Sequence, residues 1–126
     1  MVSAFFMNNS DSLIFKGFYM KYLTRQEESI LLAVFHLRDK AYLVTIRRFL
    51  REQTGRPWSV GAVYVPLERL HKKGYLASYI GGSNASRGRN EIKYYRLTRA
   101  GLQALKEIKL VNDALWAKFS ADKYEL

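Results

Sequence analysis

The stretch Trp58-Ser59-Val60-Gly61-Ala62-Val63-Tyr64-Val65-Pro66-Leu67-Glu68-Arg69-Leu70-His71-Lys72-Lys73-Gly74-Tyr75-Leu76 constrains this chain most, because both its ends are marked. Ser59 can cap a helix by accepting a free backbone N–H, and Gly74 can close it by entering the left-handed region. Trp58 before the cap and Val63 at the fourth helical position have the spacing of a hydrophobic staple. Val63, Leu67 and Leu70 recur at i, i+4, i+7, which defines one buried face. The other face carries Tyr64, Arg69, Lys72 and Lys73. Such a helix suits a DNA major groove, and it also suits an ordinary amphipathic place on a protein surface. The neighbouring segments decide between the two.

Upstream, Thr24 and Glu27 have capping-box spacing, and Ile30, Leu31, Val34, Phe35 and Leu37 form an apolar helical stripe ending near Arg38. After a short turn at Asp39-Lys40, a second helix runs from Tyr42 or Leu43 to Gln53. It turns Leu43, Ile46, Phe49 and Leu50 inward and Arg47, Arg48 and Arg51 outward. Thr54-Gly55-Arg56-Pro57 ends it. Downstream, residues 75–80 and 91–97 read as strands rich in aromatic and β-branched residues. The glycine-rich, polar segment between them makes a hairpin whose tip bears Arg87 and Arg89. Thr98 then caps a last helix reaching about Phe119. Its residues 105, 108, 112, 115 and 119 step like a coiled-coil seam.

At 126 residues the chain is long enough for one domain. Its formal charge of +10 and pI near 9.9 favour a polyanionic partner or an anionic membrane surface. There is no cysteine, which removes disulfides, thiolate catalysis and cysteine zinc sites. No apolar run approaches a membrane span, and no signal-peptide pattern is read at the start, so the expected compartment is the cytoplasm. His36 and His71 lack partners at metal-ligand or triad spacing, and no nucleophile motif or phosphate-cradling loop appears. The expectation is a protein without an active site, metal or cofactor. Residues 1–23 stand apart as an N-terminal extension, either an aromatic arm packing on a neighbour or a segment without a role.

Helix, helix, helix, hairpin, helix is the layout of a winged helix-turn-helix. The fold class expected is therefore α+β, mainly α: three helices and a β-hairpin wing over residues 24–98, then a C-terminal dimerisation helix and tail over 99–126. Phosphates require cations, which Arg47, Arg48, Lys72, Lys73, Arg87, Arg89 and Lys93 can supply. Base edges require short or planar groups near the start of the third helix, where Ser59, Ala62 and Tyr64 stand. Arginine at a hairpin tip can enter a narrow minor groove. Each arginine alone could be a solvated surface charge; their clustering on elements flanking one duplex favours DNA.

The sequence resembles the PadR-like family of bacterial transcriptional regulators. The resemblance runs from about Tyr22 to Lys118. It rests on Thr54-Gly55-Arg56, Ser59-Val60-Gly61-Ala62-Val63-Tyr64, Leu67-Glu68-Arg69-Leu70 and Lys73-Gly74-Tyr75-Leu76. It continues through Arg87-Gly88-Arg89 and Lys93-Tyr94-Tyr95-Arg96-Leu97-Thr98-Arg99-Ala100-Gly101. It implies a homodimer, paired through C-terminal helices, on double-stranded DNA with an inverted-repeat operator, acting as a repressor. Major-groove readers would be Ser59, Gly61, Ala62 and Tyr64, and wing contacts Arg87, Arg89 and Lys93. The pairing positions expected are Leu105, Ile108, Asn112, Leu115 and Phe119, with Asn112 fixing register. Some relatives hold planar molecules between tryptophans of paired C-terminal helices, which makes Trp116 and Phe119 the positions for a small aromatic effector. The alternative for Trp116 is plain interface filling.

One departure stands out. Many relatives place proline directly after the tyrosine, whereas here Val65 intervenes before Pro66. Since an interior proline bends a helix, the shift bears on where Tyr64 points. Two other functions fit the same scaffold. One is a protein-interaction adaptor that does not bind DNA; the other is a single-strand binder using the wing tyrosines.

Overall fold

A computed structural model of the protein describes residues 23–81 and 91–125. Among the described residues, four helices and one hairpin follow one another: α1 (Arg25–Leu37), α2 (Leu43–Thr54), α3 (Val60–Lys72), β1 (Leu76–Gly81), β2 (Ile92–Leu97) and α4 (Arg99–Trp116). Single 3-10 turns follow α1 and α4, at Arg38–Lys40 and Ala121–Lys123. The wing tip with Arg87 and Arg89, and the extension up to residue 22, lie outside the described residues.

Side chains set the helix ends. The Thr24 hydroxyl accepts from the Glu27 N–H (3.1 Å), and the Glu27 carboxylate accepts from the Thr24 N–H (2.9 Å), the capping box expected from the spacing. Ser59 accepts from the Ala62 N–H and Thr98 from the Gly101 N–H, each at 3.0 Å. Gly55 (φ 71°) and Gly74 (φ 84°) occupy the left-handed region just past α2 and α3, where a side chain would be strained. At the start of α2, Thr45 accepts from the Tyr42 N–H (3.0 Å) and donates to the Lys40 carbonyl (2.6 Å).

β1 and β2 pair antiparallel, with Ser78 opposite Tyr95 and Tyr79 opposite Tyr94. The residues before α2 join them: Tyr42 bridges to Tyr94, and the Tyr95 N–H donates to the Ala41 carbonyl (2.9 Å). The wing is thereby fixed to the α1–α2 turn. Pattern reading missed this, since two residues are too few to show a strand period.

Ile30, Leu31 and Val34 of α1, Ile46 and Leu50 of α2, and Val63, Leu67 and Leu70 of α3 meet in one core. Leu76, Tyr95, Ala104 and Leu105 close it from the wing and α4. One stripe position is corrected: Ala33 is buried, while Phe35 is exposed, its ring beneath the Arg38 guanidinium at 4.9 Å.

The C-terminal helix departs from the expected seam. Leu105 is buried, and Ile108 packs against the core of its own chain. Asn112 donates to the Glu28 carboxylate on α1 (2.8 Å), so its partner lies within the same chain. The helix ends at Trp116, and Lys118 adopts φ 65°, so Phe119 lies beyond the helix instead of occupying a fifth seam position. Two heptads of regular spacing could not reveal this break, because neither glycine nor proline marks it. Leu115, Trp116 (60% exposed) and Phe119 face outward, with the Trp116 and Phe119 rings edge to face at 5.1 Å.

Candidate nucleic-acid interface

The surface centres on α3. Its inner face is anchored by Val63, Pro66, Leu67 and Leu70, all buried. Facing out from its first two turns are Val60, Gly61, Ala62, Tyr64 (48% exposed) and Val65, with Ser59 exposed at the cap. The helix continues through Pro66. The residue whose carbonyl loses its partner there, Ala62, is on the exposed side. Tyr64 therefore stays outward despite the shifted proline.

Val60 and Val65 were not anticipated as part of this surface. The signal was present in the sequence: both are apolar residues off the buried i, i+4, i+7 stripe. Gly61 is equally informative. A methyl group built on it would meet nothing within 4 Å, so the fold itself does not require a glycine there.

The second half of α3 differs from the expected cationic face. Arg69 and Lys73 reach toward α1 and both contact one Glu27 oxygen, at 2.7 and 3.1 Å. Glu27 is 1% exposed, so it both completes the α1 cap and ties α1 to α3. Burial alone would raise the pKa of its carboxyl. The Arg69 hydrogen bond, the Thr24 N–H and Lys73 together outweigh that and hold it below the usual carboxylate range. Lys73 is thus engaged with an internal carboxylate. Lys72 remains exposed, without an ion pair among the described residues.

A second carboxylate fixes α3 to the wing. One oxygen of Glu68 accepts from the Tyr95 hydroxyl (2.7 Å) and from the Lys93 ammonium (3.0 Å). These two hydrogen bonds, the Tyr95 bond first, lower the Glu68 pKa. Burial, then the bond to Glu68, raises that of Tyr95. Lys93, expected as a wing contact, is therefore also an internal tie. The consequence is that hydrogen bonds join the outer face of α3 and the root of the wing into one body. The Thr98 hydroxyl, donating to the Gly74 carbonyl (2.7 Å), adds the start of α4 to that body.

On α2, Arg47 donates from Nε to the Trp58 carbonyl (2.9 Å), and the Trp58 indole N–H donates to Thr54 (3.1 Å). Arg47, Arg48 and Arg51 line one shallow hollow of about 200 Å³ with Pro57 and Trp58, beside the N-terminus of α3. Sequence reading placed Arg51 outward without counting it in the site. The structure groups it with the other two, next to a helix end that itself attracts anions.

An anchored helix exposed along its N-terminal half, a wing locked beside it and arginines at the helix-turn junction define a winged helix-turn-helix protein. Comparison with known proteins agrees. The profile of the transcriptional regulator PadR-like family matches residues 31–107. A PadR family transcription regulator from Clostridium difficile R20291 is 30% identical, with a TM-score of 0.54 over 72% of this chain and 91% of that one. The PadR family regulator from Eggerthella lenta DSM 2243 is 26% identical (TM-score 0.59, 82% and 87% covered). RosR of H. salinarum, at 21% identity and TM-score 0.61 over 78% and 81%, shows the shared fold. No curated protein matches the chain. The chain belongs to the PadR-like family and is a DNA-binding transcriptional regulator, not an enzyme. Among the described residues no helix is long and apolar enough to cross a membrane.

Proposed function

We propose that this regulator is a cytoplasmic homodimer that represses transcription from an inverted-repeat operator. Each winged-helix unit, residues 24–98, reads one half-site, and residues 99–126 supply the pairing arm. Ser59, Gly61, Ala62 and Tyr64 face the bases; Arg47, Arg48 and Lys72 hold phosphates. Lys73 and Lys93 add phosphate contacts only as far as their carboxylate ties allow. Arg87 and Arg89 of the wing tip reach the adjacent minor groove or backbone. Relief by a planar hydrophobic effector near Trp116 and Phe119 completes the reading.

The observation that carries it is the apolar outer face of α3, locked to the wing through Glu68. A reading face of Val60, Ala62, Tyr64 and Val65 offers few hydrogen bonds and suits the methyl groups of thymine. The half-site should therefore be rich in thymine where α3 enters. Pairing falls to the outward Leu115, Trp116 and Phe119. Leu105, Ile108 and Asn112, already engaged within the chain, support the arm from inside.

Selection from a random duplex pool tests the proposal. It should return an inverted repeat with thymine-bearing half-sites spaced by about 34 Å or a multiple of it. Gly61→Ala sharpens the test. It should raise stability by about 0.5–1 kcal/mol, since the site is open and alanine is the better helix former, yet weaken duplex binding if the backbone approaches DNA. A random pool that yields no consensus, or a Gly61→Ala variant that binds as before, would count against α3 as the reader.

A further inference from the structure

Given the proposed place of α3 in the major groove, on which this rests, we infer that Val60 and Val65 recognise the C5-methyl group of pyrimidines. 5-Methylcytosine then substitutes for thymine, and methylation of cytosine strengthens binding. Residues 59–66 contain no arginine, lysine, asparagine, glutamine or carboxylate, the side chains that select guanine, adenine or cytosine by hydrogen bonding. The Ser59 and Tyr64 hydroxyls both donate and accept, so they choose weakly between bases. Glu68, further along, could accept from a cytosine amino group, but its carboxylate already holds Tyr95 and Lys93. Over its first two turns α3 therefore offers mostly apolar surface, led by the half-exposed Val60 and Val65.

The fold does not require these residues. Valine and glycine are poorer helix formers than alanine. Val60 and Val65 lie off the buried face of Val63, Pro66, Leu67 and Leu70, and a methyl group on Gly61 would meet nothing within 4 Å. Gly61 stands one turn before Val65 on the same side of the helix. Helix side chains lean toward the N-terminus, so Val65 leans over Gly61, where no side chain stands in the way of a base. Along the axis Val60 and Val65 are about 7.5 Å apart, roughly two base-pair steps. Two methyl groups at that spacing are the matching target.

Chemistry separates the pyrimidines. In the major groove thymine presents O4 and a methyl group, while cytosine presents an amino group and no methyl. Valine pairs with neither the oxygen nor the amino group, so the methyl is the feature it can distinguish. 5-Methylcytosine carries that methyl at the same ring position as thymine. Cations stand at both ends of the apolar strip, Lys72 at one and the hollow of Arg47, Arg48 and Arg51 at the other. That rim fits a polyanionic duplex and not an apolar protein surface.

Three random duplex pools provide the test: ordinary DNA, DNA with deoxyuridine in place of thymidine, and DNA with 5-methyldeoxycytidine in place of deoxycytidine. The full chain should select thymine opposite α3 from the first, lose that preference in the second, and accept 5-methylcytosine there in the third. On a defined duplex from the first pool, thymine→uracil at one such position in one half-site should weaken binding about fourfold, and at two about fifteenfold. Where cytosine replaces thymine, methylating it should recover about fourfold. Val60→Ser and Val65→Ser, both at exposed positions, should each cancel the response at one base pair while duplex binding persists. Equal affinity for methylated and unmethylated duplexes overturns the inference. So does a methyl effect that survives in both variants, which would assign it to DNA stiffness. Pools that yield no consensus refute the place of α3 in the groove, and this inference with it; a consensus without a methyl response refutes the inference alone.

Discussion

Glu27→Gln tests how α3 is held. In the wild-type protein the Glu27 carboxylate is buried, closes the α1 cap through Thr24 and receives Arg69 and Lys73. Glutamine is nearly the same size and keeps one carbonyl oxygen, so the cap or one of the cation contacts can persist, without the negative charge. Breaking a fully buried ion pair costs about 3–5 kcal/mol because the remaining charge is stranded. Here Arg69 and Lys73 are 44% and 32% exposed and can turn to water, which reduces that penalty. Losing one charge-assisted hydrogen bond and weakening a second then amounts to about 2–3 kcal/mol. For a domain of this size that lowers Tm by roughly 10–20 °C. Thermal unfolding at fixed protein concentration and neutral pH measures it.

The pH dependence provides an independent check. The folded-state pKa of Glu27 is lowered from 4.5, so its stabilisation is fully present above that pH and is lost as pH falls toward the folded value. The wild-type protein should lose stability on acidification below about pH 4.5 more steeply than Glu27→Gln, with Glu68 sustaining part of the slope in both. A variant within 0.5 kcal/mol of wild type, with an unchanged acid limb, would refute the assignment of Glu27 as the tie between α1 and α3.

Other expectations are more local. Arg38→Gly should stabilise the protein by about 1 kcal/mol in urea unfolding, because relief of the strained φ exceeds the added chain entropy. Gly101→Ala should destabilise it by about 3 kcal/mol in the same assay. The new methyl group would run into the Tyr75 carbonyl oxygen, with Leu97 only 3.0 Å away. Glu68→Ala should leave the core intact yet weaken duplex affinity by about tenfold, since the wing root loses its tie to α3. An affinity equal to wild type in a gel-shift titration would show that the tie is dispensable.

The sequence made local chemistry visible and hid long reach. Thr24, Ser59 and Thr98 were legible as caps because capping acts between residues three apart. Gly55 and Gly74 were legible because only a left-handed exit ends those helices without strain. Arg69 and Lys73 were misplaced for the opposite reason. Periodicity gives the direction in which a side chain leaves the helix, while a long cationic chain can bend back to a carboxylate on α1. Asn112 of α4 was hidden likewise, since Glu28 offers it a partner that no spacing within α4 could reveal. Val60 and Val65 were overlooked because expectation favoured polar readers, although the buried stripe already excluded them from the core.

The central claim is that this cationic surface engages duplex DNA through its phosphates and bases together. The most direct measurement is the affinity of the full chain for its selected duplex as a function of salt, beside a single strand of the same sequence. The account predicts a fall of about 10³–10⁵ between 50 and 200 mM salt for six to ten phosphate contacts, with duplex preferred throughout. Salt-independent retention, or equal affinity for the single strand, would contradict it.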